Sequence, residues 1–272
     1  MIHILLSTYN GEKYLEEQLE SLINQKGVEF KILVRDDGST DGTIDILNKW
    51  QNNGLLTWYS GENIGVVNSF MDLLKKAPKS DYYAFCDQDD VWLPNKLEES
   101  LERIQKFSNE EPSLVCSDLI VVNKDLNVIH KSMWEYMKLR PKLLVKFYYA
   151  ISCNLFTGCT MVFNNAAKEL FFPATNNILM HDSWLGLKII ANNGNIGYIH
   201  KPLVLYRQHG NNVCGVNYVN NSITYYIHKI LSIKKIFIND IKKYKMAKDA
   251  TNMKIPIYKF LFYRIAYVFK RI

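Results

Sequence analysis

The sequence predicts an α/β fold: a mostly parallel central sheet with helices on both faces, followed by a basic helical segment at the C-terminus. Three observations carry this prediction. Short apolar runs alternate with helix-period stretches through the first half, Gly/Asn/Asp clusters follow the apolar runs, and positive charge is concentrated near the end. Strictly alternating strands and helices build a parallel sheet covered on both faces.

Strands are expected at Ile2 to Ser7, Phe30 to Val34, Leu55 to Tyr59, Tyr82 to Cys86 and Leu114 to Val122. Helices fall between them at Glu12 to Gln25, Thr43 to Gln51, Val66 to Lys76 and Pro94 to Phe107, the last opened by a proline suited to a first turn. The second half is less regular. It reads as a strand at Phe156 to Phe163, a short helix at Ala166 to Phe171 ended by Pro173, and a helix at Asp182 to Asn192. Strands at Ile196 to Ile199 and Leu203 to Arg207 follow.

A chain of 272 residues, 48% hydrophobic and 22% charged, is long enough for one large core or two modest domains, which excludes a disordered protein. "MIHILLSTYN" offers only a short apolar segment with no basic n-region, so neither a secretory signal nor a spanning helix is expected. The cysteines (86, 116, 153, 159 and 214) are odd in number and form no Cys-x-x-Cys pair; neutral thiols in a reducing cytoplasm are expected. The net charge is +6, yet residues 223–272 hold twelve Lys or Arg against Asp240 and Asp249, a net of +10 that leaves −4 on the remainder.

Ligands of such sheets sit beyond the strand C-termini. The loops expected there are Ser7 to Gly11 (STYNG), Arg35 to Gly42 (RDDGSTDG), Gly61 to Gly65 (GENIG) and Asp87 to Asp90 (DQDD). All four gather on one edge, and their small and polar residues suit a polar ligand cleft. Neither G-x-G-x-x-G after the first strand nor G-K-[ST] is present, which argues against nicotinamide oxidoreductases and P-loop enzymes. Asp41 is placed to cap the helix from Thr43. Asp36 and Asp37, at the strand end, are candidates to accept hydrogen bonds from a nucleobase or ribose.

The stretch "FCDQDDVW" puts three carboxylates into four positions after an apolar run. In an extended chain Asp87 and Asp89 project to one side, and Gln88 and Asp90 to the other. Like charges this close raise one another's pKa unless a cation meets them. Two carboxylates on one face suit Mg²⁺ or Mn²⁺, whereas the same acids can also form turn and cap hydrogen bonds ahead of Pro94.

The successive stretches "LLSTYNGEKYLEEQLESLINQ", "VRDDGSTDGT", "NIGVVNSF" and "FCDQDDVWLPNKLE" resemble the inverting family 2 glycosyltransferases of the GT-A fold, in order over about 100 residues. The later "MHDSWLGL" and "YRQHGNN" resemble a bacterial branch that includes rhamnosyltransferases of surface-polysaccharide assembly. The resemblance implies a nucleotide-sugar donor (a dTDP- or UDP-sugar, L-rhamnose or a related hexose), a saccharide or lipid-linked acceptor, Mn²⁺ or Mg²⁺, and no nucleic-acid partner. It also implies a GT-A catalytic domain over 1–221, with a nucleotide-binding half at 1–122 and an acceptor half at 123–221, followed by a tail at 222–272.

Carried over position by position, the resemblance assigns the nucleotide to Ser7, Thr8, Tyr9, Asp36, Asp37, Asn63, Asn68, Asp87 and Gln88. It assigns the metal to Asp87, Asp89 and His209, and the catalytic base to Asp182. Where the family usually pairs that base with a second acid, this chain has His181, which orients Asp182 or the acceptor, or is a polar residue opening a helix. Trp184 meets a sugar ring or fills core. Arg207 clamps the diphosphate or makes a surface salt bridge.

Two other functions are weighed beside this one. A sugar-1-phosphate nucleotidyltransferase shares the sheet and acidic site, but needs a glycine-rich basic loop that "STYNGEKY" does not supply. An inactive sugar-nucleotide-binding scaffold has no use for Asp87, Asp89 and Asp182 together. The tail from Ile227 to Ile272 interleaves Lys/Arg with Ile, Phe and Tyr. It is expected either to lie on an anionic membrane surface, at the cytoplasmic face, or to pack its apolar stripe on the body.

Overall fold

The computed structural model describes residues 1–52, 54, 56–209, 233–252 and 254–271. The expected domain boundary at Asn221, the residues Gly210 to Asn212 of "YRQHGNN", Cys214 and Leu55 lie outside the described residues. The strands are β1 (Ile2–Thr8), β2 (Phe30–Asp36), β3 (Leu56–Ser60), β4 (Tyr82–Cys86), β5 (Val91–Trp92), β6 (Ser113–Val122), β7 (Val128–His130), β8 (Met161–Asn164) and β9 (Asn195–Arg207). They form one sheet in the order β3-β2-β1-β4-β8-β6-β9-β5, with β7 paired to β6. β3, β2, β1 and β4 run parallel, β8 runs antiparallel to β4 and β6, and β6 and β9 are parallel.

The helices are α1 (Leu15–Ile23), α2 (Thr43–Gln51), α3 (Val66–Lys76), α4 (Lys96–Ile104), α5 (Met133–Tyr136), α6 (Pro141–Leu144), α7 (Phe147–Ser152), α8 (Asn165–Leu170), α9 (His181–Ala191), α10 (Ile233–Thr251) and α11 (Ile257–Arg271). Apolar residues on both sides of each central strand explain the layering. Ile4, Leu6, Ala84 and Cys86 pack with Leu15, Leu19, Leu47 and Leu97. Leu5, Tyr83 and Phe85 pack on the other face with Phe70, Leu73, Trp184 and Leu185. Because β1 lies between β2 and β4, the strand order reverses beside it, and a cleft opens beyond its C-terminus.

Several expectations for the second half are corrected. Residues 158–160 form a 3₁₀ turn before β8, not strand, since the Gly158 N–H is drawn to the Asp182 carboxylate at 3.1 Å. β9 is one strand rather than two, shifting its register along β6 around Pro202, which has no N–H to donate. Helices α5 to α7, four to six residues each, are too short for a periodic signal. The four described cysteines, 86, 116, 153 and 159, are unbridged.

Candidate active site

The loops after β1, β2 and β3 are tied together by polar contacts. Asp36 is fully buried; its carboxylate accepts Thr8 Oγ1 at 3.0 Å, the N–H groups of Gly38 and Ser39 at 3.1 and 2.9 Å, and Ser39 Oγ at 2.5 Å. Asp37 accepts the N–H groups of Ile64 and Gly65, each at 2.9 Å, and pairs with buried Arg35. Arg35 also reaches the Asp72 carboxylate at 3.1 Å and the Glu62 carbonyl at 3.0 Å. Gly65 opens α3 at φ 80°, a conformation that L side chains rarely adopt. As expected, Asp41 caps α2, accepting the Thr43 N–H at 3.1 Å.

This geometry corrects part of the nucleotide assignment. Thr8 and Asp36 satisfy each other and shape the loop, so neither presents a free edge to a nucleobase. Tyr9 is 47% exposed. Its backbone N–H and carbonyl pair with the Gln88 amide at 2.8 and 3.0 Å, joining the first and fourth loops. A Cβ on Gly11 would stand 2.3 Å from Gln88 Oε1, so a larger residue there would displace the Gln88 amide. Ser7 Oγ hydrogen-bonds Ser69 Oγ at 2.6 Å, Asn68 is exposed and donates to the Ile64 carbonyl at 2.8 Å, and Asn63 is exposed on the third loop.

The acids after β4 are arranged differently. β4 ends at Cys86 and a turn follows, so the strand alternation expected for residues 87–90 does not apply. Asp90 turns inward and is fully buried; Oδ1 accepts the Arg207 N–H at 3.1 Å, the Cys159 thiol lies against the carboxylate, and Oδ2 has no other hydrogen-bond partner among the described residues. Cys159 Sγ and single carboxylate oxygens of Asp87 and Asp90 lie within 4.8 Å of one another. Asp89 faces His209, with Nε2 2.7 Å from its carboxylate. Burial, then the neighbouring carboxylates of Asp89 and Asp182, push the Asp87 carboxyl up to about 7. Burial and the same crowding hold Asp90 well above the usual carboxylate range.

Lys96 lies beneath this turn, fully buried, with Nζ 3.4 Å from the centre of the Trp92 ring and no hydrogen-bond partner among the described residues. Burial lowers its pKa to about 8. Trp92 is core. Of the expected metal ligands, Asp89 meets His209, whereas Asp87 lies with Asp90 and Cys159; hard carboxylate oxygens are the donor set that suits Mn²⁺ or Mg²⁺. Cys159 does not belong to that set: burial holds its thiol protonated and soft.

Asp182 sits in the first turn of α9, 5% exposed. Its Oδ2 accepts the Gly158 N–H at 3.1 Å and its Oδ1 accepts Ser183 Oγ at 3.1 Å. Burial raises its pKa to about 6, with the bonds to Ser183 and Gly158 opposing the rise. Asp182 and Asp87, 95 positions apart, are close enough for one charge to act on the other. A carboxylate with a pKa near neutrality is equipped to take a proton.

Three expected contacts to acceptor or diphosphate are corrected. His181 is buried, stacked on Phe70 at a 4.0 Å centroid distance and edge-on to Phe85 at 4.6 Å, and its ring nitrogens have no hydrogen-bond partner among the described residues. Burial lowers its pKa to about 3, so it stays neutral and does not orient Asp182 by hydrogen bonding. Trp184 is core, donating Nε1–H to the Phe171 carbonyl at 2.8 Å. Arg207 is 2% exposed behind the acid turn, donating to the carbonyls of Asp89 and Lys124 at 2.8 and 2.7 Å and pairing with Glu17. It therefore braces the turn from behind. Tyr14, which the sequence reading passed over, packs against Arg207 and stacks on His209 at 5.0 Å.

Comparison with known proteins follows the same outline. The chain is 30% identical to the dTDP-rhamnosyl transferase RfbG of Shigella flexneri over 230 residues, which covers 78% of this chain and 74% of that protein. It is 24% identical to the Escherichia coli UDP-Glc:alpha-D-GlcNAc-diphosphoundecaprenol beta-1,3-glucosyltransferase WfaP, over 64% of each. Among solved structures, Staphylococcus aureus TarS 1–349 in complex with UDP-GlcNAc superposes with a TM-score of 0.61 at 19% identity, covering 98% of this chain and 71% of that one. The mannosyltransferase PcManGT of Pyrobaculum calidifontis, in complex with GDP-Man and Mn²⁺, gives 0.55 at 16% identity, over 98% and 80%. Both likenesses place the sheet in the GT-A fold. Residues 3–171 match the family described as Glycosyl transferase family 2, and the chain belongs to that family.

Proposed function

We propose that the chain is an inverting glycosyltransferase that moves a hexose, L-rhamnose first among the candidates, from a nucleoside diphosphate to a saccharide or lipid-linked saccharide in cell-surface polysaccharide synthesis. The observation that carries this is the convergence of Asp182 with Asp87 at the end of the cleft. The relatives support the donor and acceptor classes: RfbG is named for dTDP-rhamnosyl transfer and WfaP for an acceptor on diphosphoundecaprenol.

In this reading Tyr9 covers the nucleobase, and Asp37 holds the third loop in place around the nucleoside. Asp182 accepts the proton of the acceptor hydroxyl as that oxygen attacks the anomeric carbon. The nucleoside diphosphate departs from the opposite face, and one displacement inverts the centre. Asp87, Asp89 and His209 would hold a divalent cation, which when bound neutralises charge on the diphosphate.

A donor panel tests the reading. Release of nucleoside diphosphate from dTDP-rhamnose, UDP-glucose and UDP-GlcNAc is measured with Mn²⁺ or Mg²⁺ and a saccharide acceptor. Turnover with one donor and an inverted product linkage is expected. Retained anomeric configuration, or formation of a nucleotide sugar from nucleoside triphosphate and sugar phosphate, would contradict it.

A further inference from the structure

Helix α11 has two apolar faces. On one, Phe260 and Tyr267 are 0% and 2% exposed. Tyr267 Oη accepts the Arg140 N–H at 3.0 Å, Arg264 donates to the Ser152 carbonyl at 2.9 Å, and Arg264 also pairs with Asp240 of α10 at 2.9 Å. This face fixes the helix to the body. On the other, Tyr258, Phe262, Ile265 and Phe269 are 66%, 63%, 57% and 72% exposed. Their spacing of four, three and four residues confines them to roughly 60° of arc, opposite Phe260 and Tyr267.

The charges around the stripe indicate what covers it. Lys259 and Lys270, both exposed, border it on one side, and exposed Lys254 precedes the helix. α10 exposes Lys242, Lys245 and Lys248 on one of its own faces. We propose that α11 docks in the interface of an anionic bilayer, with the Tyr258–Phe269 stripe among the lipid headgroups and Lys259 and Lys270 meeting lipid phosphates. Aromatic side chains favour that depth. Fifteen residues reach only about 22 Å, short of the roughly 30 Å of a hydrocarbon core, so the helix lies along the surface rather than across it. A second copy is disfavoured as the occupant, because it would bring another +10 segment against the first.

The two alternatives that the sequence left open for the tail thus belong to opposite faces of one helix. α11 packs on α7, and α7 on α9, which carries Asp182. Docking would therefore hold the cleft near the surface from which a lipid-linked acceptor is offered. That last consequence rests on the proposed function, whereas the docking itself does not.

The test uses the full chain and the variant F262S/F269S, whose changes lie on an exposed face and leave Phe260 and Tyr267 in place. Co-sedimentation is measured with vesicles of pure phosphatidylcholine and with vesicles containing 30% phosphatidylglycerol, at low and high salt. The wild type is expected on the anionic vesicles at low salt and off them at high salt, with binding by the variant at least about tenfold weaker. Donor hydrolysis in solution should be equal for both proteins, which separates failure of docking from failure of the glycosyltransferase reading. A wild type that stays in the supernatant with anionic vesicles at low salt overturns the proposal, as does a variant that binds as well as wild type. Dimerisation in light scattering that the variant abolishes, without vesicle binding, would assign the stripe to a second copy instead.

Discussion

The loops after β1 to β3 and the acid turn after β4 lie side by side on one sheet edge, yet they treat buried polar groups in opposite ways. In the first region the Asp36 and Asp37 carboxylates are held by backbone N–H groups, hydroxyls and Arg35. In the second, Lys96 Nζ has no hydrogen-bond partner among the described residues, Asp90 Oδ2 has nothing beyond the neighbouring Cys159 thiol, and Asp87 is raised to about 7 among other carboxylates. Folded chains rarely leave such groups unsatisfied without a functional reason. In the proposed function the satisfied region is scaffold around the nucleotide, and the acid turn is where a cation and the chemistry would be placed.

The contrast breaks most sharply at Asp182. Replacing Asp182 by Asn preserves shape and removes proton affinity, so turnover should fall roughly 10²- to 10⁴-fold while donor affinity barely changes. The wild-type pH profile adds a sign. Asp182 must be ionised to act, and its pKa lies at about 6, so kcat/KM should be level above that pH and fall about tenfold per unit below it. A profile flat down to pH 4.5, or a variant within a few-fold of wild type, would remove Asp182 from this role.

On the scaffold side, Arg35→Met strips a buried partner from Asp37 and should cost about 3–5 kcal/mol of stability, read as a lower midpoint in thermal or urea unfolding. Arg35→Lys should recover only part of this, because an ammonium cannot reproduce the fork to Asp37, Asp72 and the Glu62 carbonyl. An unchanged midpoint would mean that this region is not the rigid half of the comparison.

Smaller effects sharpen the boundary between the regions. Gly11→Ala forces Gln88 away from Tyr9 and should cost about 1–3 kcal/mol, appearing as weaker nucleotide binding with little change in turnover. Adding Gln88→Ala should remove the steric part of that loss, and no relief in the double variant would refute the contact. Smallest of all, Trp184→Phe loses the bond to the Phe171 carbonyl, about 1 kcal/mol of stability, with KM for acceptor unchanged. A raised KM would return Trp184 to the acceptor site.

The layout of the first 122 residues was legible because each element announces itself locally. "IHILLST" and "YYAFC" are apolar on both faces, and "VVNSFMDLLKK" carries a helical stripe. The side-chain geometry of the site was not. Asp89 and Asp90 depend on where β4 stops, a boundary that local pattern fixes poorly. Arg207 meets Glu17, 190 positions away, and no spacing rule reports such a partner. His181 and Trp184 read as polar-site residues beside Asp182, yet α9 buries nearly its whole circumference, and its low polarity was the available signal. Arg35, directly before two acids in "RDDG", was visible as a cation, but its burial was not.

Calorimetric titration of dTDP and UDP into the wild type and Asp89→Ala, each in Mn²⁺ and in EDTA, tests most directly whether the acid turn after β4 forms a cation site. The account predicts that Mn²⁺ tightens nucleotide binding to the wild type by at least about tenfold and that Asp89→Ala abolishes the difference. Equal wild-type affinity with and without Mn²⁺, or a full Mn²⁺ effect in Asp89→Ala, would contradict it.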